Sequence, residues 1–578
     1  MQRLVLPVLR LRIARAWWLL FLIALVPAPA RPAASASRAP YLILFNGRIF
    51  TADPARLHAE ALAIRGERIT AVGSNATVKR LADAHTRLVD LGGRTVIPGL
   101  NDAHAHLGIW PADEVFVDTA GYDPGWPELR EALRKAEAQA PMGAILSGTI
   151  GTTIFYDPAI DRAALDAAMP DHPVVLGTFD SHAVILNSAA LRKLGIGEDV
   201  ADPASGRFER DGKGRLTGVA REYAAWGVVG RRLGAATSDG DAAAALGTQL
   251  DRAARYGITS IQDMPTDADA DRTVRLLVMV PTRIRVRVTR MNPTGPAGPD
   301  YREEASASAR LLPLIAVTGT KWVLDGVVFE GTLTPRQNAA VSAATAGGPY
   351  GFAGLPPLFT PSVLEAMLRD SLRHDYQLQF HVFGRPAAAE LLDALERTGG
   401  RRTWARRRLR IEHGDGLTPD LIARAKAYGL IVSQQGTHLG IAQIDPGLDA
   451  RFLDRLRADK AQPLRSLLAA GIPLALGSDG PLNPWLGVLG AVAHPDRPDE
   501  AITREQALIA YTYGSAYAEF AEKDKGTLMP GKLADLAVLS QDIFAVPPDA
   551  LPKTRSMLTL VGGRVVSDAD ALNRQSKR

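Results

Sequence analysis

No cysteine occurs in the 578 residues. That absence excludes disulfides, thiolate metal ligands and a lipid anchor on cysteine. Stability must come from the core, and any metal must be held by His, Asp, Glu or a modified Lys. Low-complexity tracts are missing too and charge is moderate, which is the composition of a folded globular chain. The length is too great for one small core, so one large domain with additions is expected. The apolar stretch 16–26 ("AWWLLFLIALV") is short for a membrane span.

The flanks of that stretch explain it. Arg3, Arg10, Arg12 and Arg15 precede it, and "PAPARPAASASRAP" follows. This is the layout of a secretory signal peptide, 1–36, cut after Ala36 or Ala30, and it implies an exported protein, periplasmic or secreted, with no membrane span after cleavage. A retained anchor is the alternative. The basic excess also vanishes with the leader: of the formal charge of +5, five arginines and no acidic residue lie in 1–36. The mature chain is formally neutral, so no nucleic-acid partner follows from its charge.

After the leader, "YLILFNGRIFTADPARLHAEALAIRGERITAVG" reads as strands broken at Asn46-Gly47 and Arg65-Gly66. The same texture returns near the C-terminus in "KGTLMPGKLADLAVLSQDIFAV" and "SMLTLVGGRVVSDA". Two such segments, each marginal alone, are expected to pair into a small β-sandwich built from 40–95 and 526–568. Between them eight apolar, strand-like runs alternate with helical stretches, at 96–100, 258–262, 283–289, 321–324, 378–381, 409–412, 430–433 and 472–476. Eight strand–helix units predict an α/β fold, a TIM-like (β/α)8 barrel over 96–525, with its site at the C-terminal ends of the strands. Residues of about 110–245 have their own strand-like and helix-like runs and read as an insertion capping the barrel mouth. The Gly/Pro-rich stretch 331–360 reads as a mobile loop over the site.

Six side chains that can hold a metal stand at or just past these runs. They are His104 and His106 in "LNDAHAHL", Lys321 in "TKWVLDG", His381 in "LQFHVFG", His413 in "RIEHGDG" and Asp479 in "GSDGP". Taken singly, each has an ordinary reading. An His-x-His pair on a strand faces one side but is often incidental, and His381 reads as a core histidine. His413 reads as a loop residue, Asp479 as a turn residue or helix cap, and Lys321 as a solvated surface residue. Taken together they fall on strands one, four, five, six and eight. Ligands delivered one strand at a time to a common rim point to a metal-dependent hydrolase.

These motifs, with "FDSHAVILNSAAL", "LTGVAREYA", "GITSIQDM", "EQALIAYTYGSAYAEF" and "KGTLMPGKLADLAVL", resemble the YtcJ-like group of amidohydrolase family 3 over essentially the whole mature chain. The resemblance implies that His104, His106 and Asp479 bind a buried metal and that His381 and His413 bind a second. Lys321 matches the position of a carboxylated, bridging lysine; without that modification Glu222 or Glu330 would supply an oxygen, or one metal would be held. Histidine and carboxylate donors suit zinc, while Mn²⁺ or Fe²⁺ would be tolerated. Asp479 would shuttle the proton, and His182 in "DSHA" would contact the substrate carbonyl or support a ligand.

The expected activity is hydrolysis of a non-peptide C–N bond in a small N-acyl, N-formyl or cyclic amide. Ester or carbamate hydrolysis on the same site, and a non-catalytic exported metal- or solute-binding protein, are the alternatives. A homodimer is compatible with the sequence. Three local features depart from the family pattern: Arg385 where an acid is usual, Gln434-Gln435-Gly436-Thr437-His438 without its proline, and the segment after Asp325-Gly326. An arginine at 385 favours an anionic substrate, unless it is merely a surface residue.

N-terminal sequencing of the exported protein should begin at Ser37 or Arg31. An intact Met1 in the membrane fraction would instead indicate a retained anchor.

Overall fold

The computed structural model describes residues 40–569 except 120, 122, 156, 282, 302–308, 311, 327–355, 445–460 and 496. The leader with Ala30 and Ala36, Glu330, and most of 331–360 lie outside the described residues.

Eight parallel strands form the central sheet. They are β1 (Leu100–Ala105), β2 (Ile258–Asp263), β3 (Arg285–Met291), β4 (Ile315–Val323), β5 (Leu378–Val382), β6 (Arg410–His413), β7 (Ile431–Gln434) and β8 (Leu474–Leu476), hydrogen-bonded in sequence order. The sheet nearly closes into a TIM-like barrel. At the seam the Asp479 N–H donates to the His104 carbonyl (2.8 Å), and the Ser478 N–H donates to Asp102 Oδ1 (2.9 Å). Gly477 permits that approach, since a Cβ there would lie 2.5 Å from His104 N.

Two strand expectations are corrected. The run at 96–100 is not barrel strand one: Thr95–Pro98 pairs with Arg48–Phe50 and Leu536–Leu539 in a different sheet, and the barrel strand starts at Leu100. Pro98 and Gly99 cut one continuous apolar run in two. A Cβ on Gly99 would sit 2.1 Å from Thr259 Oγ1, so only glycine allows the chain to cross there. His104 is therefore inside a strand and His106 just beyond it. Similarly, Lys321 does not open its strand but lies near the end of a nine-residue one, which the polar Thr318 and Thr320 disguise.

The N- and C-terminal segments interleave. One sheet runs Arg68–Gly73, Ala61–Arg65, Leu42–Phe45, Arg87–Asp90; the other contains Arg564–Asp568, Ser556–Val561, Leu536–Leu539, Thr95–Pro98, Arg48–Phe50 and His58–Ala59 in that order. Leu44, Ile64, Val89, Val96, Leu536 and Leu560 pack between them as one buried cluster. Neither segment alone could bury that face.

Between β1 and β2 the chain builds a six-stranded sheet with its own cores, from Val115–Val117 to Leu216–Glu222. It returns through helix Asp239–Arg255. Ser238 caps that helix by accepting from Asp241 N, Asp239 and Asp241 occupy its first turn, and Ala242, Leu246, Leu250 and Ala253 form its buried stripe. Helices Pro361–His374 and Pro419–Ala427 likewise begin with proline after a threonine, where the missing N–H costs nothing.

Candidate metal centre

The end of β1 and the turn after β8 bring three polar side chains together. His104 Nε2 lies 3.3 Å from His106 Nε2, and Asp479 Oδ1 lies 3.4 and 3.3 Å from those two nitrogens. The other ring nitrogens are already engaged. His106 Nδ1 is 2.6 Å from the Met264 carbonyl oxygen, which can only accept, so Nδ1 carries the hydrogen. His104 Nδ1 is 2.8 Å from Glu412 Oε2. Burial alone would raise the Glu412 carboxyl, but Arg410 Nε at 2.7 Å and the His104 hydrogen bond hold it down at about 2. Glu412 is therefore an acceptor, and both imidazoles turn an Nε2 lone pair toward Asp479.

Three electron-rich atoms at such spacing repel unless a cation sits among them. The centre of a triangle with those edges lies about 1.9 Å from each corner (edge over √3), close to the roughly 2.0–2.2 Å of Zn–N and Zn–O bonds. His104, His106 and Asp479 fit a divalent ion, and they are the group of metal-capable side chains with mutually close ligand atoms found among the described residues.

The other expected ligands form a second layer beside it. His413 Nε2 is 3.8 Å from Asp479 Oδ2, and the His413 ring lies 5.0 Å from that of His104 and 4.4 Å from that of His381. His381 Nε2 is 3.7 Å from Asp325 Oδ1. Among the described residues His381 Nε2 and His413 Nδ1 are buried without a hydrogen bond. Lys321 Nζ lies 3.5 Å from His104 Nε2; burial, helped by Arg410, pulls the amine down to about 8.

Consecutive strand residues normally face opposite sides, yet Glu412 and His413 both reach this site. His413 sits at φ +70 and Asp479 at φ +52, in the left-handed region that non-glycine residues rarely occupy. Such strain gathers where a side chain must be aimed.

The insertion contributes His182 and Glu222. Glu222, weighed above as an oxygen ligand, instead bonds His182 Nδ1 through Oε2 at 2.8 Å, and the His182 ring lies 4.9 Å from that of His381. Burial opposes protonation of His182, but the Glu222 carboxylate outweighs it and pushes the imidazole up to about 9. Arg385 opens the helix after β5.

Sequence reading missed Glu412, Asp325 and the Met264 carbonyl. The signal for Glu412 was present: Arg410 and Glu412, two apart in a buried strand, must face the same interior. Asp325 accepts from Phe383 N at 2.9 Å and Gly384 N at 2.6 Å, tying the chain after β4 to the end of β5. Nothing local in "LDG" announces that role.

The pattern that describes the amidohydrolase family matches residues 87–567. The chain belongs to that family. It is 29% identical over 560 residues to Protein LONG AFTER FAR-RED 3 of Arabidopsis thaliana, covering 90% of this chain and 91% of the relative. Bacillus subtilis (strain 168) YtcJ, which carries the name amidohydrolase, is 24% identical over 463 residues (76% and 82%). The N-substituted formamide deformylase of Arthrobacter pascens is 26% identical over 547 residues (90% and 97%). Among solved structures, a metal-dependent hydrolase of Pyrococcus horikoshii superposes with a TM-score of 0.64 at 20% identity, over 88% of this chain and 99% of that one. That likeness is one of fold.

Two outcomes test the site. Glu412→Gln should weaken divalent-metal affinity about 10–100-fold, as loss of a carboxylate behind a ligating histidine does; competition with a chromophoric chelator measures it, and unchanged affinity would refute the orienting role. The second concerns pH. Burial depresses His104 from 6.5 to about 4 and carries His381 and His413 well below their ordinary value, so their contribution is present above about 6.5 and lost as pH falls. His182, raised to about 9, contributes below 6.5 and loses this as pH rises through 9. The loss of urea stability in metal-free His182→Gln relative to wild type should be largest below pH 6.5 and shrink as pH rises toward 9; a loss that grows with pH would contradict the sign.

Proposed function

We propose that this amidohydrolase cleaves a non-peptide C–N bond in a small N-acyl, N-formyl or cyclic amide, as an exported enzyme, periplasmic or secreted. The observation that carries the metal-dependent reading is the His104–His106–Asp479 triangle, with its lone pairs aimed inward by Glu412 and Met264. The C–N assignment draws on family membership and on the Arthrobacter relative, whose name specifies an N-substituted formamide.

His104, His106 and Asp479 would hold one divalent ion, zinc by donor type, and His381 and His413 would face a second, with Lys321 carboxylated between them. A bound ion supplies polarisation of the scissile carbonyl and lowers the pKa of water from 15.7 to about 7. Burial would raise Asp479, but His104, the His106 and His438 side chains and His413 together keep it well below the ordinary carboxylate range. It is ionised at neutral pH. Asp479 takes the proton of the attacking water and returns it to the leaving amine, acting first as base and then as acid. His182, its Nδ1 fixed by Glu222, presents Nε2 to the substrate carbonyl oxygen and to the oxyanion formed from it.

The test is metal analysis of the purified protein with turnover of a panel of N-acyl amino acids, formamides and lactams. Asp479→Asn should lose about 10²–10⁴-fold in turnover while retaining much of its metal. A wild-type protein without a transition ion, or an Asp479→Asn variant at full rate, would sink the assignment.

A further inference from the structure

One histidine beside Asp479 is neither a metal ligand nor a substrate contact in the scheme above. His438 lies in helix Gly436–Ile444, directly after β7, within the motif Gln434-Gln435-Gly436-Thr437-His438. Its Nε2 stands 3.5 Å from Asp479 Oδ2, and its ring lies nearly parallel to that of His413, 6.0 Å away at 18°.

The placement is rigid. Helix Gly436–Ile444 meets helix Pro484–Val492 backbone to backbone: a Cβ on Gly436 would lie 2.4 Å from Gly487 O, on Gly440 2.2 Å from Leu486 O, and on Gly490 2.0 Å from Gly436 O. No side chain separates the two axes there. The second helix is also the one that follows Asp479, so one contact fixes His438 and the chain leaving Asp479 relative to each other. Another acid stands near His438: Asp415, in the turn after β6, holds Gln462 N at 3.2 Å through its backbone carbonyl.

The two oxygens of Asp479 thus have different surroundings. Oδ1 faces the His104–His106 pair, while Oδ2 faces His413 at 3.8 Å and His438 at 3.5 Å. A carboxylate rotates freely about its last bond unless both oxygens are held. Of the groups around Oδ2, His438 is closer and, with 24% of its side chain exposed, nearer the open side of the site than His413 at 3%.

We propose that His438 is a positioning residue for Asp479: by holding Oδ2 it turns Oδ1 toward His104 and His106 and points Oδ2 at the place where the proton is exchanged. The inference rests on the role of Asp479 proposed above. Removing His438 leaves the metal ligands intact but lets the carboxylate rotate.

The experiment uses the full mature chain loaded with Co²⁺, comparing wild type, His438→Ala and His438→Gln, the last keeping an N–H near the original Nε2. Readouts are the Co²⁺ visible spectrum, Co²⁺ affinity, and kcat and KM on whichever N-formyl amine the wild type hydrolyses. His438→Ala should lose about 10–100-fold in kcat, the scale of a lost ligand-orienting partner, with KM within about threefold and a shifted Co²⁺ band. His438→Gln should recover most of the rate and the wild-type band. Wild-type kcat and spectrum in His438→Ala would overturn the proposal, as would a rise in KM alone, which would mark a substrate contact. A His438→Gln variant as poor as His438→Ala would also overturn it, because the ring rather than its N–H would then be needed. If wild type binds Co²⁺ and turns over while the variants match it, only the role of His438 falls. If wild type does neither, the hydrolase reading fails and takes this one with it.

Discussion

Two imidazole nitrogens and one carboxylate oxygen, each carrying a lone pair and each about 3.3 Å from the others, repel one another in a half-buried site unless a positive charge lies between them. The neighbouring structure keeps them in that unfavourable arrangement. Arg410 and Glu412, both fully buried, form an ion pair beneath the site, and Glu412 accepts the hydrogen bond of His104 Nδ1–H. That pair need not add stability, since the cost of burying both charges can offset their attraction. What it provides is a defined tautomer and ring angle for a ligand, which apolar packing cannot supply.

The barrel is built to deliver these groups, and its irregularities lie where delivery is hardest. The seam between β8 and β1 depends on Gly477 and on hydrogen bonds from Ser478 and Asp479 to β1. Asp479 and His413 adopt left-handed backbone at their strand ends. The inserted sheet places the His182–Glu222 pair against His381. The site therefore draws on two parts of the chain, the barrel and the inserted sheet, which have distinct apolar clusters.

Much of the site was legible because its residues obey strand logic. His104, His381, His413 and Asp479 stand at the ends of apolar runs, and counting those runs puts them on one rim. The strand boundaries were less legible. "TVIPGL" is one apolar stretch to the eye, and only the contact of Gly99 with Thr259 reveals two strands in two sheets. Lys321 looked like a surface residue at a strand start because Thr318, Gly319 and Thr320 interrupt the apolar pattern, although barrel-facing positions tolerate polar side chains.

From the chain alone follow the barrel class, the composite sandwich and the candidate ligands, because periodicity and side-chain chemistry are local properties of the sequence. The partners of those ligands were decided only by folding. Glu412 bonds a histidine 308 positions away, Met264 offers its backbone to His106, and Glu222 turns to His182 rather than to a metal. Each of those choices is a contact of 2.6 to 2.8 Å between elements brought together by packing, and no spacing along one strand encodes it.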